Sequence, residues 1–406
     1  MKIPFSPPYI DDDVIREVND SLLSGWITTG PKVALLEEEL KEFTKSKGVV
    51  CVNSWTSGAI LMLKWLHLEK GDEVIVPAYT YCATAMAVID AGAKPIMVDI
   101  NDDLTIDVEK IKEAITPRTK AIIPVDIAGV PSQYEKIKEI ITSKQVVEMF
   151  SPSNETQRML NRIMLISDSA HSLGAIANNR SVAQIVDVCI LSLHAVKNIT
   201  SAEGGAICLN LPEPFNNENE RKHLKILSLN GQTKDAFTKN QAGGWRYDVV
   251  ECGLKINLPD VNAAIALSQL RKYDYLLKER KRVYDRYSSL LSKYSWAKLP
   301  YQDTDSVKSS YHLYPLRLNP ITEKQRDELI EYLSKKEIAT NVHYIPMPLL
   351  TLFKNMGYNM ENYPKAYNTY CREISLPIYP QLKDEEIDYI VNNLVQGYNK
   401  VREENI

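Results

Sequence analysis

Lys197 is the residue of this 406-residue chain whose type and setting speak most directly of chemistry. It stands in Leu191–Gly205, LSLHAVKNITSAEGG, where the apolar run Val188–Leu191 gives way to Ser192, His194 and Lys197 on a turn. Glu203-Gly204-Gly205 then leads into a second apolar run, Ala206–Leu209. A lysine that follows an apolar run, clear of other cations, has its ammonium desolvated. Burial disfavours the charged form and leaves a nucleophilic amine, the form a Schiff-base lysine requires. A solvated lysine at a strand exit fits the same pattern, so the company Lys197 keeps must decide its role.

That company is a set of polar residues at the ends of apolar runs. Asp168, in Ile166-Ser167-Asp168-Ser169-Ala170-His171, follows such a run and falls on the edge where open α/β sheets bind ligands. It reads either as a helix N-cap or as a carboxylate that keeps a cofactor's pyridine nitrogen protonated, with Lys197 holding the cofactor's aldehyde. Asn53-Ser54-Trp55-Thr56-Ser57-Gly58 precedes a helix expected from about Ala59. Free N–H groups there, with the hydroxyls of Thr56, Ser57 and Ser192, make either a phosphate site or a plain helix cap. Tyr81, after Pro77-Ala78-Tyr79-Thr80, is either a ring that stacks on a planar cofactor or a core tyrosine.

Apolar runs alternating with helical stretches must position these residues. Strands are expected at Val49–Val52, Glu73–Val76, Lys94–Val98, Ala121–Val125, Ile163–Ser167, Val188–Leu193 and Ala206–Leu209. Together they predict an α/β fold, a mostly parallel seven-stranded sheet covered on both faces. Two helices precede it, Asp11–Ser24 and one carrying Val33, Leu36, Leu40 and Phe43 on one face, joined by Gly25–Pro31. Ser143–Asn161 reads as a polar, irregular surface excursion. The texture changes after Gly243-Gly244-Trp245: a long helix over Pro259–Tyr287, strands at Tyr311–Leu318 and Ile338–Tyr344, and helices at Glu323–Lys335 and Asp384–Tyr398 predict a smaller C-terminal α+β domain. The boundary is expected between 258 and 259, with an N-terminal arm on the first domain and the bridging helix opening the second.

Composition narrows the class. Hydrophobic residues at 44% and charged ones at 25% are those of an ordinary globular protein. A net charge of −4 gives no general attraction to nucleic acid or to an anionic membrane. No apolar run nears the roughly 20 residues of a membrane helix, and the first residues do not read as a signal peptide, so a cytoplasmic protein is expected. The six cysteines are scattered and expected to be buried, reduced thiols; the histidines show no zinc-ligand spacing, and no metal is expected. Neither G-x-G-x-x-G after the first strand nor a P-loop occurs.

Six motifs taken together, Gly25–Pro31, Thr56-Ser57-Gly58, Val76-Pro77 with Thr80-Tyr81, Asp168 with His171, Ser192-x-His194-x-x-Lys197 with Glu203-Gly204-Gly205, and Asn257-Leu258-x-Asp260-x-Asn262-Ala263-Ala264, resemble the DegT-type nucleotide-sugar aminotransferases, pyridoxal-phosphate enzymes of fold type I. The likeness runs almost from end to end. In Lys197–Thr200 and Asn257–Asp260 it is nearest to the branch that makes UDP-4-amino-4-deoxy-L-arabinose. It implies that Lys197 holds the cofactor's aldehyde and later shuttles a proton, that Asp168 partners the pyridine nitrogen, and that His171 lies near the phenolic oxygen. It implies further that Tyr81 stacks, that Thr56, Ser57 and Ser192 hold the phosphate, and that Asn257 reaches in from the second subunit of a homodimer. Thr29 is expected on the substrate side, and His343-Tyr344 resembles the family's H-Y-x-P stretch near the substrate, a structural role being the alternative. Lysine at 197, where related sugar dehydratases carry histidine, favours transamination from glutamate to a keto group of a nucleotide-linked deoxysugar, in cell-surface polysaccharide or related amino-sugar synthesis. The rival expectations are a transaminase of an amino-acid or cyclitol acceptor and a cofactor-binding regulator without turnover. Ser167, where many relatives have Glu, and Trp55, where a small residue is common, depart from the pattern.

Overall fold

The computed structural model describes residues 1–234, 245–301 and 303–403. Gly243 and Gly244 lie outside them. The central sheet has seven strands: β1 (Gly48–Val52), β2 (Glu73–Pro77), β3 (Lys94–Val98), β4 (Thr119–Ile122), β5 (Met164–Asp168), β6 (Val188–Ser192) and β7 (Gly205–Leu209). Their order across the sheet is β1-β7-β6-β5-β4-β2-β3. β7 runs antiparallel to both of its neighbours, and every other pairing is parallel.

Both faces are buried, which is why the strands read as continuous apolar runs. Alternation deals Val50, Val52, Val74 and Val76 to one core and Val49, Cys51 and Ile75 to the other. The helices α1 (Asp12–Leu23), α2 (Pro31–Thr44), α3 (Trp55–Trp65) and α4 (Ala83–Asp90) belong to this half. α3 lies close on the sheet because residue 58 is glycine: a Cβ there would meet Ile190, Ile207 and Val52 at 3.2–3.3 Å.

Several expectations are corrected. Ser143–Asn161 is no irregular excursion; it holds helices Lys144–Met149 and Glu155–Leu160. Asn154 caps the second by accepting from Gln157 N, and the buried Gln157 side chain donates to Leu66 O, so its polar residues serve structure. The stretch Pro259–Tyr287 is two helices, α5 (Asp260–Leu270) and α6 (Tyr273–Leu291). At the break Arg271 pairs with Glu17 and Glu39, and Lys272 with Asp11 and Asp13, so the chain turns to meet α1 and α2. The helix after β1 starts at Trp55, four residues before the expected Ala59, because Ser54 caps it. Cys252 is exposed, against the expectation of buried thiols.

The second core gathers around a smaller sheet, β8 (Ala297–Lys298), β9 (Tyr314–Leu318) and β10 (Glu373–Leu376), covered by α6, α7 (Glu323–Lys335) and α8 (Asp384–Glu403). β9 begins at Tyr314, not Tyr311, since Tyr311 has φ 51° and the His312 N–H bonds to Ala128 O. The strand expected at Ile338–Tyr344 does not form. Only Ile338 and Asn341 make single bridges, to Ile3 and Ser375, and the His343 N–H then goes to the Glu373 side chain instead of a strand.

Candidate active site

The site grows from the carboxyl ends of β1, β2, β5 and β6. Asp168 is the last residue of β5, and its carboxylate accepts from Thr84 Oγ1 at 2.9 Å and Ala170 N at 3.2 Å. Burial pushes this carboxyl well above the usual carboxylate range, against the two hydrogen bonds and the charge of Lys197. Lys197 stands five residues past the end of β6, and burial of its ammonium lowers it to about 8, with Asp168 pulling the other way. Each charge is therefore felt by the other, across a loop that brings the two side chains into one cluster.

His171 closes the same cluster. It is buried; its Nδ1 accepts from Ala128 N–H at 3.3 Å, and its Nε2 lies 3.1 Å from the Tyr344 hydroxyl. Burial and Lys197 hold the ring neutral, so the proton sits on Nε2 and is donated to Tyr344. Tyr81 stands at the rim, 60% exposed, with its ring 5.9 Å from that of Tyr344. The core-tyrosine reading fails for Tyr81; Tyr79, two residues earlier, takes that place.

Thr56 and Ser57 lie in the first turn of α3. Ser54 Oγ accepts from Ser57 N–H at 3.1 Å and lies 2.9 Å from Ser57 Oγ, so that N–H is engaged rather than free. The start of α3 rests on Gly205: a Cβ there would stand 2.7 Å from Ser54 C and Trp55 N. Gly205 pairs with Ser192 on one side and Val52 on the other, which places Ser192 next to the helix start. Asn257 and Thr29 bond each other beside the end of β1. Asn257 bridges to Val52 and donates to Thr29 Oγ1 at 2.6 Å, and Thr29 donates to Leu258 O at 2.6 Å. Within one chain both serve the joint between the Gly25–Pro31 loop and α5, where Asp260 accepts the N–H groups of Gly30, Lys32 and Val33.

Sequence reasoning missed Thr84 and Asp126. Asp126 is fully buried and collects Ser132 N, Tyr134 Oη, Ser167 Oγ, Ser169 Oγ and Ser172 Oγ. It follows the apolar end of β4, the same signal that singled out Asp168. Its presence accounts for Ser167: a glutamate there would set a second carboxylate against a buried first one. Trp55 is core, 5% exposed.

The sequence model of the DegT/DnrJ/EryC1/StrS aminotransferase family matches residues 8–150 and 157–395. The chain belongs to that family. Spr1654 from Streptococcus pneumoniae, named as a sugar aminotransferase, is 42% identical, and its PMP form superposes with a TM-score of 0.94 over 100% of each chain. Helicobacter pylori PseC, an aminotransferase of pseudoaminic acid biosynthesis, is 26% identical with a TM-score of 0.85, over 98% of this chain and 100% of that one. The Bacillus subtilis spore coat polysaccharide biosynthesis protein SpsC is 32% identical over 406 residues, 97% of each chain. The protein is a pyridoxal-phosphate-dependent sugar aminotransferase, which removes the reading as a regulator without turnover.

The residues present fit that cofactor. A helix start seated on Gly205 with hydroxyls at 56, 57 and 192 suits a phosphate. A buried carboxylate of raised proton affinity suits a pyridinium, and a desolvated amine suits an aldehyde. No helix among the described residues is long and apolar enough to cross a membrane.

Proposed function

We propose that the enzyme moves an amino group from glutamate to a keto group of a nucleotide-linked deoxysugar, for cell-surface polysaccharide or related amino-sugar synthesis. The carrying observation is the desolvated Lys197 amine in the same cluster as Asp168. Bound pyridoxal phosphate supplies an aldehyde and a ring that accepts electrons.

The chain's residues supply the rest. With Lys197 lowered to about 8, on the order of a tenth of its amine is free at neutral pH, enough for Nζ to attack an aldehyde and to carry a proton. Asp168, fixed by Thr84 and Ala170, would be the carboxylate that keeps the cofactor's ring nitrogen protonated. Tyr81 gives the ring a stacking partner, and the His171–Tyr344 pair supplies a hydroxyl oriented by a donated N–H. Thr56, Ser57 and Ser192 hold the phosphate, with Asn257 of the partner subunit completing that site in a homodimer. Exposed apolar residues on and beside α1 and α2 (Leu22, Leu23, Ile27, Leu35) support the second copy. Thr29 is a candidate for the sugar side by that same route, His343 because its ring feels the charge of Lys197, and Tyr344 because its hydroxyl meets His171.

The test is release of 2-oxoglutarate from glutamate with a panel of keto acceptors: nucleotide-linked sugars, including the 4-keto precursor of UDP-4-amino-4-deoxy-L-arabinose, and amino-acid and cyclitol ketones. Turnover confined to the nucleotide sugars is expected and would be absent in Lys197→Ala. Preference for the amino-acid or cyclitol ketones would refute the proposal.

A further inference from the structure

The small sheet directs a buried carboxylate toward the active site. Glu373 opens β10 with its side chain fully buried. One carboxylate oxygen accepts the His343 backbone N–H at 2.9 Å, and the other lies 2.5 Å from Ser375 Oγ. Ser375 is on the same face of the strand, and its hydroxyl is 2.8 Å from His343 Nδ1. Phe5 stacks on the imidazole at 5.4 Å, and Tyr344 meets it edge-on at 4.9 Å. The charge of Lys197 is felt at this ring. Nε2 has no hydrogen-bond partner among the described residues.

The geometry points to a relay in which Glu373, acting through Ser375, sets which His343 nitrogen carries the proton, so that Nε2 meets an oxygen of the sugar acceptor as acceptor or as donor. Only the substrate contact rests on the sugar-acceptor reading; the relay belongs to the free protein. With Glu373 ionised, Ser375 donates to it and must accept from Nδ1–H, so Nε2 is an acceptor. With Glu373 protonated, its O–H donates to Ser375, Ser375 donates to Nδ1, and Nε2–H is a donor. A proton arriving at Nε2 is matched by the Nδ1 proton passing to Ser375 Oγ and the Ser375 proton passing to Glu373. The ring ends neutral, and the carboxylate is neutralised.

The surroundings suit this. Burial drives the Glu373 carboxyl up to about 8, although Ser375, the His343 N–H and the guanidinium groups of Arg326 and Arg317 favour its ionised form. The Tyr79 phenol is a further titratable neighbour. Burial, with Lys197 nearby, lowers His343 to about 3, so its ring is neutral in both relay states. Glu373 and Ser375 are positioning residues; His343 is the one that would touch substrate.

NMR of protein labelled with isotopic histidine reads the tautomer directly, with His343→Gln giving the assignment. The expected result is Nδ1–H above the Glu373 value of about 8 and Nε2–H below it. In Glu373→Gln, whose amide imitates the protonated acid, Nε2–H holds on both sides. Ser375→Ala removes the pH dependence and raises the acceptor's KM by about tenfold, the loss of one oriented hydrogen bond; Ser375→Thr restores both. A tautomer that ignores pH in the wild type and is the same in Glu373→Gln overturns the relay. The expected tautomers with an unchanged acceptor KM in Ser375→Ala overturn the substrate contact. An intact relay in an enzyme that turns over no keto sugar faults the acceptor reading alone.

Discussion

Adding one methyl group at Gly205 tests how the phosphate site is built. The residue lies in β7 without the positive φ that would require glycine, so alanine is acceptable to the strand itself. The obstacle is the start of α3. The new Cβ would stand 2.7 Å from Ser54 C and Trp55 N, where ordinary contact begins at 3.4 Å, so backbone must give by about 0.7 Å. That displacement falls on the turn carrying Thr56 and Ser57 and beside Ser192. Hydrogen bonds to a charged group contribute about 1.5–3 kcal/mol each, so misplacing one should weaken cofactor binding about tenfold to a hundredfold. The clash is local, so the change in thermal stability should stay within a few degrees. Titration of the apoenzyme with pyridoxal phosphate, followed by visible absorbance, measures the first quantity; a thermal melt of the apoenzyme measures the second. A Gly205→Ala enzyme that binds cofactor within twofold of wild type would refute the seating of α3 on β7 as the device that forms the site.

Three further outcomes are expected. Asp168→Asn should retain cofactor yet slow turnover by about a hundredfold or more, the scale of losing one oriented charge in a buried site, and a near-normal kcat would remove its role at the ring nitrogen. Asn257→Ala should raise the cofactor's Kd about tenfold; an unchanged Kd would leave Asn257 only its contacts within its own chain, to Thr29, Lys255 and Val52. Glu373 holds its proton more tightly in the native state, at about 8, than its ordinary value of 4.5. Native protein therefore binds more protons than unfolded chain between those values, and this group's contribution to stability falls as pH rises through the window, by up to about 1.4 kcal/mol per pH unit. Denaturant titrations across that window should show the decline in wild type relative to Glu373→Gln, and parallel pH profiles would refute it.

Much of the site was legible because its residues stand where apolar runs stop. Lys197, Asp168 and Ser192 were singled out as candidates by that rule, with their roles implied by the family resemblance, and Asp126 obeys it too but was passed over. Thr84 carried no such mark: it is a threonine one residue into α4, and only the folded chain brings its hydroxyl to Asp168 at the end of β5. The polar stretch Ser143–Asn161 misled for a related reason. Composition cannot separate polar residues that face water from those that cap a helix or, like Gln157, bond a distant carbonyl.

The sequence by itself determined the alternation of strands and helices, the seven strands of the large sheet and the chemical character of the site, because burial of apolar runs and the stopping of strands are local properties of the chain. Tertiary structure alone decided the antiparallel setting of β7, the break between α5 and α6, and the joining of Glu373, Ser375 and His343. Each depends on which distant groups come within hydrogen-bonding or ion-pairing reach. Directional contacts of that kind act over about 3 Å, and only the folded chain fixes positions that finely.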